Sequence, residues 1–316
     1  MGAAAMGGER SAIATRSRRR TLRRIQEAPI YAFLFACALL SVLTTIGIIL
    51  TLIEETVHFF GEVSVTEFFF TTHWAPQFPT NQAFGVIPLL NATFFIAFMA
   101  MLVALPLGVL VAIYLSEYAH PRLRSIVKPI LEILAGIPTV VYGYFALTFI
   151  TPDLLRALFG SEVSITNALA ASIAIGIMIL PLVASLSEDA MRSVPQGLRE
   201  GAYGLGATKF EVATRVVFPA ALSGIIAAVI LSMSRAAGET MIVAVAGGLQ
   251  PNLSWNPFEG MATMTAYIVN VSLGDTQRGT IEYNTIFAVG MLLFVCTLAM
   301  NVIAQWVLAK FREEYD

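Results

Sequence analysis

Two charged residues stand alone in a long apolar stretch of the chain, and they are the first candidates for chemistry. Arg235 and Glu239 are the charged side chains within residues 218–248. A charge at the centre of a bilayer costs roughly 2.5–3.5 kcal/mol, so such residues normally face a cavity or a partner. They are four residues apart, so on one helical face each partly neutralises the other.

The chemistry of this pair favours an anion. An arginine is permanently charged, and its planar fork of donors fits a tetrahedral oxyanion. Glu239 would hold Arg235 in place when the site is empty, and would keep the anion from binding too tightly to leave. The pair therefore predicts a translocation site for an anion. The alternative is a self-satisfied ion pair that only holds a helix bundle together.

The elements that must position this pair are membrane helices. Of the 316 residues, 57% are hydrophobic and only 13% are charged, against about 25% charge in a soluble domain. Six apolar segments each reach the roughly 20 residues that a bilayer crossing needs. They are residues 30–53, 85–116, 128–152, 164–187, 218–248 and 283–309. We predict an all-α, polytopic membrane protein with six transmembrane helices, the first of which is a retained anchor.

The basic residues predict the orientation. Of 19 Lys and Arg residues, 16 fall in four segments that six spans would place on one side, whereas Arg156 and Arg278 fall on the other. The positive-inside rule then puts both termini in the cytoplasm. The basic tail at residues 1–29 is expected to touch anionic membrane lipid rather than nucleic acid. Residues 54–84 are an extracytoplasmic loop, and residues 311–316 are a cytoplasmic tail.

Metal binding and catalysis are not expected in this chain. Cys37 and Cys296 lie inside apolar runs, and the three histidines are scattered without ligand-like spacing. No Gly-Lys pair occurs, so the sequence lacks a phosphate-gripping P-loop. We therefore expect no catalytic residue, no metal and no cofactor in this chain, which is not an enzyme.

The longest predicted cytoplasmic loop, residues 188–217, has the pattern of two short amphipathic helices. Apolar residues recur at helical spacing after Pro195, a second helical piece begins near Thr208, and Gly206 lies between them. A turn at this point needs a residue without a side chain. The loop is therefore expected to form a rigid corner outside the membrane.

The same loop resembles the EAA loop of ABC importer permeases. That pattern is EAA, three residues, Gly, nine residues and Ile-x-Leu-Pro, and the chain has Glu200-Gly201-Ala202, Gly206 and Val216-x-Phe218-Pro219 at the same spacing. The resemblance implies a type I ABC importer permease fold with cytoplasmic coupling helices. It also implies that Glu200, Gly201, Ala202 and Gly206 dock on a separate ATPase, which would bind ATP and Mg. The alternative is a plain amphipathic linker on the bilayer surface.

Two further segments resemble the permeases of phosphate importers. Residues 235–241 read RAAGETM, similar to the RAxGETM segment of that family, and residues 134–143 read LAGIPTVVYG, similar to its third span. The Met after GET is more like the PstC type than the PstA type. The resemblance covers spans two to six, within a permease core at residues 85–310.

The resemblance implies a set of partners. They are a sister permease of the PstA type in a heterodimer, two copies of a cytoplasmic ATPase of the PstB type and an extracytoplasmic phosphate-binding protein of the PstS type. The expected function is phosphate translocation in an ATP-driven importer of the inner membrane. Three alternatives stay open: a permease for another oxyanion such as sulfate or molybdate, a self-powered secondary transporter, and a membrane subunit that signals phosphate supply.

Overall fold

The structure is a computed structural model that describes residues 3–77 and 82–311, with side chains described over 29–77 and 82–310. The side chains of residues 1–28, which include the basic N-terminal tail, lie outside the described residues. Residues 312–316 of the predicted C-terminal tail also lie outside them. Within the described ranges the chain is helical, and a single bridge between Trp74 and Phe84 is its one β-type pairing. The all-α prediction is confirmed.

Eleven of the thirteen α-helices in the described residues carry labels, in chain order. They are α1 (Ala3–Glu62), α2 (Val65–Phe70), α3 (Ile87–Ile113), α4 (Pro121–Ala135), α5 (Thr139–Phe145), α6 (Ala168–Arg192), α7 (Gln196–Gly204), α8 (Lys209–Glu211), α9 (Leu222–Ala237), α10 (Met264–Leu273) and α11 (Ile281–Phe311). Wider π-helical turns extend α3 through Tyr114–Tyr118, α5 through Ala146–Leu155 and α8 through Val212–Val217.

Six crossings are available in the described part of the chain. Four straight helices are long and apolar enough to cross a membrane: Pro29–Glu62, Ile87–Tyr118, Ala168–Arg192 and Ile281–Lys310. Two bent pairs supply the others. One joins α4 to the helix that starts at Thr139 with a bend of 81°, and the other joins Lys209–Ala220 to α9 with a bend of 68°. With each pair counted as one crossing, the number agrees with the six predicted spans.

The predicted third span needs correction at its N-terminal end. Residues 128–152 do not form one straight helix, because α4 ends at Ala135 and a new helix starts at Thr139. The cause lies in Gly136-Ile137-Pro138. Proline has no N–H to donate, and it disfavours helical geometry in the residue before it. Residues 128–135 therefore belong to α4, which meets the crossing helix at a steep angle.

The predicted fifth span is also interrupted. Helix α9 ends at Ala237, Gly238 follows it, and helical structure resumes at Met241 and continues to Gly247. The segment between this span and the last one was predicted to be an outer loop, but it contains α10. Several residues of α10 are buried, including Met264, Ala266 and Tyr267.

The described residues form two units, which divide between Glu54 and Glu55. In the first unit, almost every described side chain from Pro29 onward is exposed, although most are apolar. Exposed apolar side chains on a long helix fit a hydrocarbon environment.

The core of the second unit is built around α3 and α6, which pack along their length. Small residues dominate this contact, and Ala100, Ala104, Ala171 and Ala174 are fully buried. Small side chains let membrane helices approach closely. Close packing matters here because, within lipid, the hydrophobic effect does not drive helices together. Helix α9 packs against both α3 and α6.

Gly176 provides a test of this close approach. A Cβ at position 176 would lie 3.0 Å from the carbonyl oxygen of Ala100 and 2.9 Å from Cβ of Val103. Because backbone cannot swing aside, Gly176→Ala should lower the free energy of unfolding by about 1–3 kcal/mol. Thermal unfolding of the purified chain in detergent measures the change. Gly61→Ala is the control, since nothing lies within 4 Å of a Cβ there. Equal stability of the two variants would contradict this packing.

Candidate functional site

The break in the fifth span carries the charged pair found in the sequence. Arg235 lies in the last turn of α9, and Glu239 lies in the break between Gly238 and Met241. A break inside a membrane frees backbone groups that need new partners, and such breaks are tolerated where they line a cavity or are enclosed by protein. The residues at this break therefore decide what the site can do.

Glu239 is fixed by the protein itself. Its side chain is only 3% exposed, and its Oε1 accepts hydrogen bonds from the backbone N–H groups of Met241 at 3.2 Å and Ile242 at 3.5 Å. Its own carbonyl oxygen accepts a hydrogen bond from the hydroxyl of Thr265 in α10 at 2.7 Å. Glu239 thus satisfies the donors that start the second half of the span.

Arg235 is much less constrained. Its Nη1 lies 3.4 Å from Oε2 of Glu239, and its side chain is 52% exposed. A guanidinium that faces hydrocarbon would be costly, so its open side must face water or a partner. The guanidinium can therefore meet an anion while Glu239 keeps its backbone contacts.

This geometry sharpens the sequence interpretation. The expected contact between Arg235 and Glu239 is present, but the two residues do not share one continuous helix. The contact crosses the end of α9, and the exposure of the two side chains is unequal. Thr265, which holds the backbone of Glu239, was not singled out from the sequence, because nothing local to it marks a contact with a residue 26 positions away.

The two segments that resemble phosphate-importer permeases meet at this break. A Cβ on Gly143 of α5 would lie 3.1 Å from Cα of Ile242 and 3.2 Å from the carbonyl oxygen of Met241. The hydroxyl of Tyr142 donates to the carbonyl of Leu134 at 2.8 Å, across the bend between α4 and α5. Any larger residue at position 143 would press on the backbone that follows Glu239.

The loop that was predicted to be cytoplasmic has the expected corner. Helix α7 ends at Gly204, and Gly206 has a φ of 86°, in the left-handed region that favours glycine. Thr208 and Glu211 then form a reciprocal capping box that starts α8. The Thr-x-x-Glu spacing of this cap is a local signal that the prediction of the loop did not use.

The predicted docking residues lie on the outside of this corner. Glu200, Gly201 and Gly206 are exposed, and Ala202 is half-buried. Beside them Leu205 is 91% exposed. An apolar side chain this open at a rigid corner is suited to a contact with another protein.

The structure does not bring the docking residues and the charged pair together. They lie at opposite ends of the segment that includes α9, whose 16 residues span about 24 Å at 1.5 Å per residue. Any influence of one site on the other must therefore pass through the helices.

Comparisons with known proteins show the family to which the chain is related. The family described as binding-protein-dependent transport system inner membrane component matches residues 104–313. The probable ABC transporter permease protein YqgH of Bacillus subtilis is 33% identical, over 91% of this chain and 93% of that protein. The phosphate transport system permease protein PstC of Mesorhizobium japonicum is 32% identical, over 73% of this chain and 76% of that protein.

A solved structure shares the fold. A bacterial alginate ABC transporter, solved with an alginate-bound periplasmic protein, superposes with a TM-score of 0.61 over 92% of this chain and 97% of that chain. The identity is 16%, so this likeness concerns the fold alone. The chain therefore belongs to the family of binding-protein-dependent transport system inner membrane components, and it is a multi-pass permease component of an ABC importer.

Proposed function

We propose that this chain forms the phosphate pathway of an ATP-driven importer together with a sister permease of the PstA type. The observation that carries the proposal is the half-exposed guanidinium of Arg235 at a break within a membrane span, next to a buried Glu239. The fork of Arg235 provides charge-assisted donors for a tetrahedral oxyanion. Its one long contact with Glu239 leaves those donors accessible.

Phosphate is the substrate that the relatives support. The Mesorhizobium japonicum protein is named phosphate transport system permease protein PstC, and a 33% identical protein of Mycobacterium tuberculosis is named phosphate transport system permease protein PstC 1. The RAAGETM segment around Arg235 adds support from the residues themselves. Glu239 neutralises part of the charge of Arg235, which keeps phosphate binding weak enough for release.

The energy for transport comes from a separate ATPase of the PstB type, which binds ATP and Mg and docks on the corner formed by α7 and α8. The exposed Glu200, Gly201 and Gly206 and the protruding Leu205 support this role. The excess of basic residues in the predicted inner loops supports cytoplasmic termini. An extracytoplasmic binding protein of the PstS type delivers phosphate to the opposite side.

Arg235 gives the most direct test of the pathway. In vesicles that contain the complete importer, Arg235→Gln should reduce uptake of labelled phosphate about 10- to 100-fold, since a hydrogen bond to a charged group is worth about 1.5–3 kcal/mol. Arg235→Lys keeps the charge but lacks the planar fork of donors. Its phosphate uptake should therefore lie between that of the wild type and that of Arg235→Gln. Arg278→Gln is the control, because Arg278 is exposed and lies outside the break.

The same experiment separates the alternatives. Uptake by Arg235→Gln at the wild-type rate would contradict the pathway. If that variant instead lost phosphate-dependent signalling alone, the chain would be a sensor. Strong inhibition of wild-type uptake by sulfate or molybdate would assign the site to another oxyanion.

Leu205 tests the docking corner. Leu205→Asp places a carboxylate in the proposed apolar contact, where its desolvation is costly, so the ATPase retained on the purified permease should fall at least tenfold. Leu273→Asp is a matched control, because Leu273 is 84% exposed and is the last residue of α10, on the opposite side of the predicted topology. Normal retention of the ATPase by Leu205→Asp would argue that α7 and α8 are a plain linker.

A further inference from the structure

Arg199 is the buried residue of the otherwise open helix α7. It directly precedes Glu200, yet it points inward and is 8% exposed. A charged side chain is seldom buried unless its donors are paired. The contacts of Arg199 therefore reveal what α7 is attached to.

The guanidinium of Arg199 joins three separate parts of the chain. Its Nη1 donates to the carbonyl of Val194, and its Nη2 donates to the carbonyl of Met191 at 2.8 Å, so it holds the end of α6. The same Nη2 lies 3.0 Å from Oε1 of Glu117, and Nε lies 3.3 Å from that oxygen. Glu117 belongs to the π-helical turn that ends the span begun by α3.

The partner carboxylate is also enclosed. The side chain of Glu117 is almost fully buried, and its Oε1 accepts a hydrogen bond from the hydroxyl of Ser116 at 2.8 Å. The planar fork of arginine satisfies a carboxylate and two carbonyls at once, which the single ammonium of lysine does not reproduce. The bridge between α7 and the ends of α3 and α6 is thus specific and tight.

A second set of ion pairs connects α6 to α4. Fully buried Glu188 of α6 pairs with Arg124 at 2.6 Å and with Lys128 at 3.5 Å, both in α4. Between α4, the end of α6 and α7 lies an open cavity of about 800 Å³, lined by charged residues that include Arg124, Lys128 and Arg199. Glu117 and Arg199 both line this cavity, so a displacement of α7 relative to α4 would change its shape.

We propose that Arg199 is the positioning residue that transmits movement of α7 to α3 and α6. These two helices form the central pair of the core, and α9, which carries Arg235, packs against both of them. A displacement of the docking corner would therefore reach the anion site through the Arg199–Glu117 bridge while the cavity beside α4 changes shape. This inference rests on the proposed docking of an ATPase at α7 and α8.

Two conservative variants test the bridge in vesicles that contain the complete importer. Glu117→Gln keeps the shape and an acceptor but removes the charge, and Arg199→Lys keeps the charge but removes the fork. Each should leave the amount of copurified ATPase unchanged and retain ATP hydrolysis, while the phosphate imported per ATP hydrolysed falls at least fivefold. The double variant should be no worse than the poorer single variant, because both remove one interaction. Arg122→Gln, at an exposed arginine of α4, should keep the wild-type ratio.

The outcomes that would overturn the proposal differ from a failure of the proposed function. An unchanged phosphate-to-ATP ratio in both variants, with normal assembly, would show that the bridge transmits nothing. Loss of copurified ATPase, or failure of both variants to accumulate in the membrane, would assign the bridge to docking or to stability alone. If instead the wild-type chain retained no ATPase or imported no phosphate, the proposed function itself would be wrong.

Discussion

The carboxylate of Glu239 stabilises the break in the fifth span, and the candidate site depends on that break. A helix that stops within a membrane leaves backbone N–H groups without water to satisfy them. Glu239 accepts hydrogen bonds from the first two N–H groups after the break and also meets Arg235. Because one carboxylate oxygen binds the backbone, Arg235 contacts Glu239 through Nη1 alone, and its other N–H donors stay available. The anion chemistry proposed for this permease follows from that asymmetry.

The surrounding helices keep the break in place by close packing. Gly143 of α5 lies against the backbone at Ile242, and Thr265 of α10 holds the carbonyl of Glu239. The small residues between α3 and α6 allow the tight core against which α9 rests. At the other end of α9, the corner at Gly206 presents exposed residues, and Arg199 ties that corner back to the core. A rigid path of packed helices thus runs from the predicted cytoplasmic face to the charged pair.

Much of this architecture was predictable from the sequence, because its causes are local. Apolar segments of bilayer length give the spans, the Pro195 to Thr208 pattern gives two helices with a glycine corner, and a spacing of four residues puts Arg235 in reach of Glu239. The anion preference of Arg235 and the docking role of Glu200 remain predictions, since geometry alone does not test them.

The remaining features depend on contacts between residues far apart in the chain. Hydropathy does not register the direction of a helix, so the size of the bend at Gly136-Ile137-Pro138 and the end of α9 at Ala237 were missed. In the sequence, Arg199 resembles any other charged residue on an amphipathic helix. Its burial depends on Glu117, which lies 82 positions away in the chain. The unequal exposure of Arg235 and Glu239 likewise depends on the backbone of the break rather than on residue type.

The most direct measurement is uptake of labelled phosphate by vesicles reconstituted with this chain, a sister permease, the ATPase and the binding protein, with each component and internal ATP omitted in turn. The account predicts that uptake requires ATP and every component, and that it stops when this chain is left out. Uptake by this chain alone without ATP, or undiminished uptake in its absence, would contradict the account.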